Sequence, residues 1–325
     1  MSQIQYYNQP ELRDPVVVVA FGGWNDAADA ATTTIKFLID HWSADKIAEI
    51  DAEEFFVFTE TRPTIKYVDA VQTTISWPSN QFLAHNTPDL THDVMLFMGT
   101  EPQLKWKTFS ANFIEVCKKN HVAEVVFIGA LLADVPHSLT VPVSGSSANE
   151  EMAERLREMD INRSHYEGPT GMIGVLQDAC TRENIASASL WAAAPHYLAA
   201  TPNIKVTAAL LTYLNQFLSL GMDLQKIQSE AVRFEEQVSA LVARDPEARE
   251  YVRKLEEQVA NGIDPTQEDD DDDDEDEEFT FNPDRAPSSG PLPSADSLIR
   301  DVEALLREQR ANGPNDQSDD HEESE

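Results

Sequence analysis

The chain has 325 residues, 41 % of them hydrophobic, and a formal net charge of −34. Residues 263–325 hold 23 acidic residues against four arginines and no lysine, a net −19, which leaves −15 for residues 1–262. This balance repels phosphate backbones and anionic lipid, so nucleic-acid binding and a lipid-surface role are excluded, and the length and apolar content predict one sizeable α/β domain with an appendage.

The first residues lack a basic patch and an apolar core, and no later run is long enough to cross a bilayer, so a cytoplasmic protein without direct membrane insertion is expected. Residues 15–34 organise the rest of the chain. Val16-Val17-Val18-Val19-Ala20-Phe21 is a continuous apolar run closed by Gly22-Gly23-Trp24-Asn25-Asp26, and alanine-rich, helix-compatible sequence comes next. This predicts a buried strand, a tight turn and a helix start, the first βα unit of a mostly parallel sheet.

An apolar helical face continues through Ile35, Leu38 and Trp42, and residues 47–50 and 54–59 read as short strands. A β-hairpin near residues 59–78 is expected to project from the sheet. Residues 93–99 and 124–129 are two more glycine-closed apolar strands with a helix over 104–120 between them, the strand, crossover and strand of a parallel sheet. Helices are expected at 148–159, 171–182 and 203–220, and a strand at 185–194. Cys117 and Cys180 fall in helical segments without metal-ligand spacing and read as reduced, buried thiols.

The body is expected over residues 1–220. Residues 221–262 change to charged amphipathic helices broken at Asp245-Pro246, a helical arm or lid that must pack on the body, since two short helices cannot bury the Tyr251, Leu255 and Val259 stripe alone. Eleven consecutive acidic residues, 268–278, open a segment over 263–295 whose composition predicts a disordered linker. Residues 296–310 then read as a short amphipathic helix with Leu298, Val302, Leu305 and Leu306 on one stripe, a candidate partner-binding element or a helix folded back on its own body, and residues 311–325 read as a second disordered tail.

Candidate ligand-binding residues gather where the predicted strands end. Gly22, Gly23, Trp24, Asn25 and Asp26 supply close backbone approach, an indole face and polar groups, although Asp26 at a helix start is first of all a cap. Asp134 and His137 come after the third strand, Glu167 and Thr170 precede a helix, and His196 ends another strand. His137, His165 and His196 lack metal-ligand spacing, so no metal is expected, and the absence of a phosphate loop, a dinucleotide fingerprint or a nucleophile elbow leaves no cofactor and no assigned catalytic residue.

Taken together, residues 21–32, Gly99-Thr100-Glu101-Pro102, residues 131–137, Tyr166-Glu167-Gly168-Pro169-Thr170-Gly171 and residues 189–197 resemble the bacterial branch of the proteasome assembly chaperone 2 family. The resemblance implies a three-layer α/β/α core akin to purine nucleoside phosphorylases and peptidyl-tRNA hydrolases, a β-hairpin used for assembly into a homo-oligomer, expected to be a trimer, and a helical lid over a pocket to which Glu101 contributes. Two departures stand out. The family's usual Thr-Arg-Pro after the Pro-His pair is Ser138-Leu139-Thr140 here, which removes an anion-holding arginine. The chain ends Glu322-Glu323-Ser324-Glu325, without the hydrophobic-Tyr-x ending that docks eukaryotic relatives on the proteasome. The leading expectation is an oligomeric assembly-chaperone-like or regulatory protein that binds a protein partner. The alternative is a phosphorylase- or hydrolase-like enzyme on a nucleoside-like or peptide-like molecule, with Asp26, Glu167 and His196 meeting beneath the lid.

Overall fold

The computed structural model describes residues 3–67, 72–163, 168–199 and 202–262. The strands are β1 (Ile4–Tyr6), β2 (Val16–Gly22), β3 (Asp45–Ile50), β4 (Thr64–Tyr67), β5 (Thr73–Ser76), β6 (Asn80–His85), β7 (Val94–Thr100), β8 (Glu124–Ala133), β9 (Val143–Ser147), β10 (Asn162–Arg163) and β11 (Ala186–Pro195). The helices are α1 (Ala30–Trp42), α2 (Trp106–Lys119), α3 (Glu150–Glu158), α4 (Met172–Arg182), α5 (Ile204–Phe217), α6 (Gln225–Val242) and α7 (Pro246–Ala260).

Nine strands form one sheet in the order β1-β3-β6-β7-β2-β8-β11-β9-β10. Its centre, β7-β2-β8-β11, is parallel, while β6, β3 and β1 on one side and β9 on the other pair antiparallel with their inner neighbours. Alternation along the central strands sorts their side chains into two layers. Val16, Val18 and Ala20 of β2 and Val126 and Ile128 of β8 join the core beneath α1 and α5. Val17, Val19 and Phe21, with Val125 and Phe127, join the phenylalanine-rich core beneath α2 and α4. Because both faces of β2 are covered, its apolar run is continuous rather than alternating. This is the three-layer α/β/α architecture.

Strands β4 and β5 form the projecting hairpin as a separate two-stranded sheet. The strand expected at 54–59 is instead a series of turns. Its apolar residues serve as a plug: Phe55 is fully buried against Phe109 of α2, and its carbonyl accepts the Gln103 and Leu104 N–H groups. The sequence pattern also gives no sign of β6 and β9. In β9 the run Val-Ser-Gly-Ser-Ser has little strand character, and Gly145 is needed because a Cβ there would lie 2.8 Å from the Ser189 carbonyl of β11.

The α5–α6 connection is not detached from the body, since Leu220, Met222, Leu224 and Ile227 enter the same core as α1 and α5. The rest of α6 and all of α7 close over Tyr197 and Leu198, just past β11, with Phe234, Val238, Tyr251, Val252 and Leu255 forming a separate apolar cluster. Pro246 begins α7 as expected, and Asp245 caps it through bonds from the Glu247 and Ala248 N–H groups. Among the described residues no helix is long and apolar enough to cross a membrane. Glu167, and Leu298, Val302, Leu305 and Leu306 with the rest of the acidic segment, lie outside the described residues.

Candidate functional site

Two polar constellations sit where the central strands end. The first joins the turn after β2 to the starts of α1 and α4. Gly23 adopts φ +123°, a backbone conformation that strains any residue with a side chain, so the turn favours glycine. Asn25 is buried; its carbonyl accepts the Ala130 N–H at 2.9 Å and its Nδ2 donates to Glu101 Oε1 at 3.1 Å. The same Glu101 oxygen accepts the Met172 N–H at 2.7 Å, at the first turn of α4. Glu101 thus fills the position in which a helix N-terminus would hold an external anion. Trp24 stands 57 % exposed beside this knot, and Thr170 is exposed at the entry to α4.

Asp26 acts as the cap its position suggests, but across a kink. Ala28 and Asp29 both take left-handed backbone (φ 53° each), so α1 starts four residues beyond Asp26. The carboxylate reaches over them to accept Ala31 N–H at 2.7 Å, Thr32 N–H at 3.1 Å and Thr32 Oγ1 at 2.5 Å. Burial raises its pKa, and the bonds from Thr32 and Ala31 oppose the rise.

The second constellation clasps the helical arm. His196 Nδ1 lies 2.9 Å from Asp134 Oδ1, and its Nε2 lies 3.0 Å from the Tyr251 hydroxyl of α7. His137 is buried. Its backbone N–H donates to the Tyr197 hydroxyl at 2.7 Å, its Nδ1 lies 2.8 Å from the same oxygen, and its Nε2 lies 3.1 Å from Ser239 Oγ of α6. Lys205 Nζ donates to the carbonyls of His137 (2.5 Å) and Leu139 (2.7 Å) and to Glu235 of α6 (2.5 Å), while Ser138 donates to Glu256 of α7. Burial, reinforced by the nearby Lys205 charge, lowers the His137 pKa to about 4, so the ring is neutral near pH 7. Burial pushes the phenols of Tyr197 and Tyr251 well above their ordinary value, and both keep their protons.

Of the residues singled out in the sequence, Gly22, Gly23, Trp24, Asn25, Asp26 and Glu101 gather in the first constellation, and Asp134, His137 and His196 gather in the second. Asp26 and His196 are committed to different partners, the start of α1 for one and the Asp134–Tyr251 pair for the other. Tyr197, Lys205, Ser239 and Tyr251 do not stand out as site residues in the sequence. Tyr197 adjoins His196 and Tyr251 lies on the arm's apolar stripe, but no local pattern marks Lys205 or Ser239. Among the described residues no His, Cys, Asp and Glu cluster could hold a metal. Beside His137, a shallow recess of only about 10 Å³ is lined by Val135, Leu139, Val141, Lys205 and Phe234.

A parallel-centred sheet between two helical layers, a projecting hairpin and a clasped helical arm define an α/β/α protein whose polar edge is largely satisfied by its own side chains. The PAC2 family model matches residues 20–242, and the chain belongs to that family. A PAC2 family protein from Streptomyces avermitilis is 38 % identical, with TM-score 0.67 over 74 % of this chain and 100 % of that one. A Mycobacterium tuberculosis proteasome-assembly chaperone homologue is 40 % identical, with TM-score 0.66 over 73 % of this chain and 99 % of that one. An archaeal proteasome activator from Pyrococcus furiosus shares the fold at 17 % identity and TM-score 0.59, covering 73 % of this chain and 97 % of its own. No curated protein matches the chain.

Proposed function

We propose that the chain is a cytoplasmic homo-oligomer, a trimer, that works as an assembly-chaperone-like or regulatory protein for a protein partner. The observation that carries this reading is the hairpin. Direct pairing puts Ile65 opposite Ile75 and Tyr67 opposite Thr73 on one face, with Thr64, Lys66, Thr74 and Ser76 on the other. Ile65, Tyr67 and Ile75 are 71 %, 79 % and 56 % exposed, so a face of β-branched and aromatic side chains stands in solvent on an element with no core of its own. A second copy would cover such a face. The 40 % identical relative described as a proteasome-assembly chaperone homologue supports a partner that itself assembles from subunits, and the 296–310 segment with Leu298, Val302, Leu305 and Leu306 is the proposed binding element. Trp24 and the polar knot beneath it remain the proposed ligand edge.

Sedimentation of the full chain beside Ile65→Asp/Ile75→Asp tests the reading. The expected result is a trimer for the unsubstituted chain and, for the double variant, a folded monomer whose thermal midpoint no longer depends on protein concentration. A monomeric unsubstituted chain at micromolar concentration overturns it.

A further inference from the structure

The recess beside the clasp has an apolar lip. It is made by Leu139, 38 % exposed, above the buried side chains of Val135, Val141 and Phe234. On α6, Val232, Glu235 and Ser239 recur at positions i, i+3 and i+7, one stripe of a helix. Glu235 and Ser239 of that stripe meet Lys205 and His137, and Val232, one turn earlier, is 57 % exposed. The Lys205 ammonium and the Glu235 carboxylate neutralise each other within the clasp, which leaves Glu256 and the neighbouring exposed Glu236 as the acidic groups of the rim.

The chain continues for 63 residues beyond Gly262, and the tether begins on α7, which packs with α6 in the arm's apolar cluster. Within those residues, three of the four arginines, Arg300, Arg307 and Arg310, fall in 296–310, together with Leu298, Val302, Leu305 and Leu306 at helical spacing. The same residues hold Asp296, Asp301, Glu303 and Glu308, so this stretch is net −1 where the other 48 residues of the tail are net −18, and the one stretch with an apolar stripe is also the one nearest to neutral. The 33 residues of 263–295 span roughly 30 Å as a flexible chain, and more when acidic. The 15 residues of α7 span only about 22 Å, so the tether reaches back along the arm. Tethering holds the segment at an effective concentration on the order of millimolar, enough for a helix too short to persist alone to be ordered by a modest apolar contact.

We infer that residues 296–310 dock in cis on the arm of their own chain, with the leucine stripe seated between Leu139 and Val232 and the arginines toward Glu236 and Glu256. The inference deepens the reading of this segment as a binding element by naming the surface it meets first. A protein partner must then displace the segment from its own arm, so partner binding is self-limited.

Hydrogen exchange of the full chain tests it, with Leu139→Glu/Val232→Glu as the comparison. The expected result is at least tenfold protection of amides 298–306, lost in the double variant while amides of α7 keep theirs. Exchange of 298–306 at free-chain rates overturns the inference, and so does protection indifferent to the rim substitutions. Protection that disappears on dilution to nanomolar protein, the mark of docking between copies, overturns it as well. The hairpin variant Ile65→Asp/Ile75→Asp separates the two readings: retained protection in that monomer leaves the cis contact standing whatever the fate of the trimer.

Discussion

Tyr197 reaches from the end of β11 to the loop after β8, where its hydroxyl accepts the backbone N–H of His137 at 2.7 Å and lies 2.8 Å from Nδ1 of the same residue. One phenol thus fixes both the main chain and the ring of the residue that meets the arm. Tyr197→Phe keeps the packing against Leu198, Phe234 and Tyr251 but strands a buried N–H. The expected cost is about 1–3 kcal/mol, read as a lower urea midpoint with an unchanged slope.

The His137 ring gives the fold a distinct acid limb. Its folded pKa is about 4 against an ordinary 6.5, so between those values the unfolded chain takes up a proton that the folded chain refuses. Stability therefore falls as pH drops through that window, at up to about 1.4 kcal/mol per pH unit. Asp93 behaves separately. Burial pushes its carboxyl up, but bonds from Arg13, Thr87 and Asn86 outweigh that and hold it well below the carboxylate range, so its contribution is lost only at more acid pH. His137→Gln is expected to reduce the slope of the stability profile between pH 6.5 and 4, leaving the part due to His92, whose pKa burial also lowers, and the loss through Asp93 at more acid pH, as measured by urea unfolding across pH.

Glu101 is expected to behave as a structural acceptor. Its Oε1 takes both Asn25 Nδ2 and the Met172 N–H, and a glutamine carbonyl can take the same two bonds. Glu101→Gln should cost no more than about 1 kcal/mol, the loss of a favourable charge at the start of α4. Glu101→Ala should cost about 1–3 kcal/mol because Asn25 is left buried with an unpaired amide. Equal losses in the two variants, by thermal or urea unfolding, would show that the charge rather than the acceptor matters.

The central βα units were legible because apolar runs, glycine closures and helical periodicity all agree there. Residues 54–59 misled for a physical reason: Phe55 and Phe56 are apolar to plug the core beneath α2, and that use leaves the same local signal as a strand. The short β9 escaped because close approach to β11 demands glycine and serine, which have little strand character. The site obeyed the same rule. His137, His196 and Asp134 stood out as chemistry-bearing types near strand ends, whereas Lys205 and Ser239 became site residues only when α5 and α6 were folded against the loop. Asp26 kept its capping role, but the left-handed pair Ala28 and Asp29 moved the helix start beyond the reach of sequence spacing.

Lys205 couples the arm to the His137 titration. Its ammonium holds two loop carbonyls and Glu235 at once, and its charge is one of the causes that depress the imidazole pKa. Lys205→Met removes both effects while keeping an unbranched apolar stem. Loss of hydrogen bonds from a charged group predicts a cost of about 1.5–3 kcal/mol near neutral pH. Losing the repulsion also raises the folded pKa of His137 toward 6.5, so the variant should lose less additional stability than the unsubstituted protein as pH falls from 6.5 to 4. The two consequences have opposite signs on the acid side, and the cost of the substitution should therefore shrink as pH drops. Unfolding free energies at pH 7 and pH 5 check this, together with the His137 ring titration tracked by NMR. A cost that is constant with pH would mean that Lys205 braces the loop without tuning the histidine.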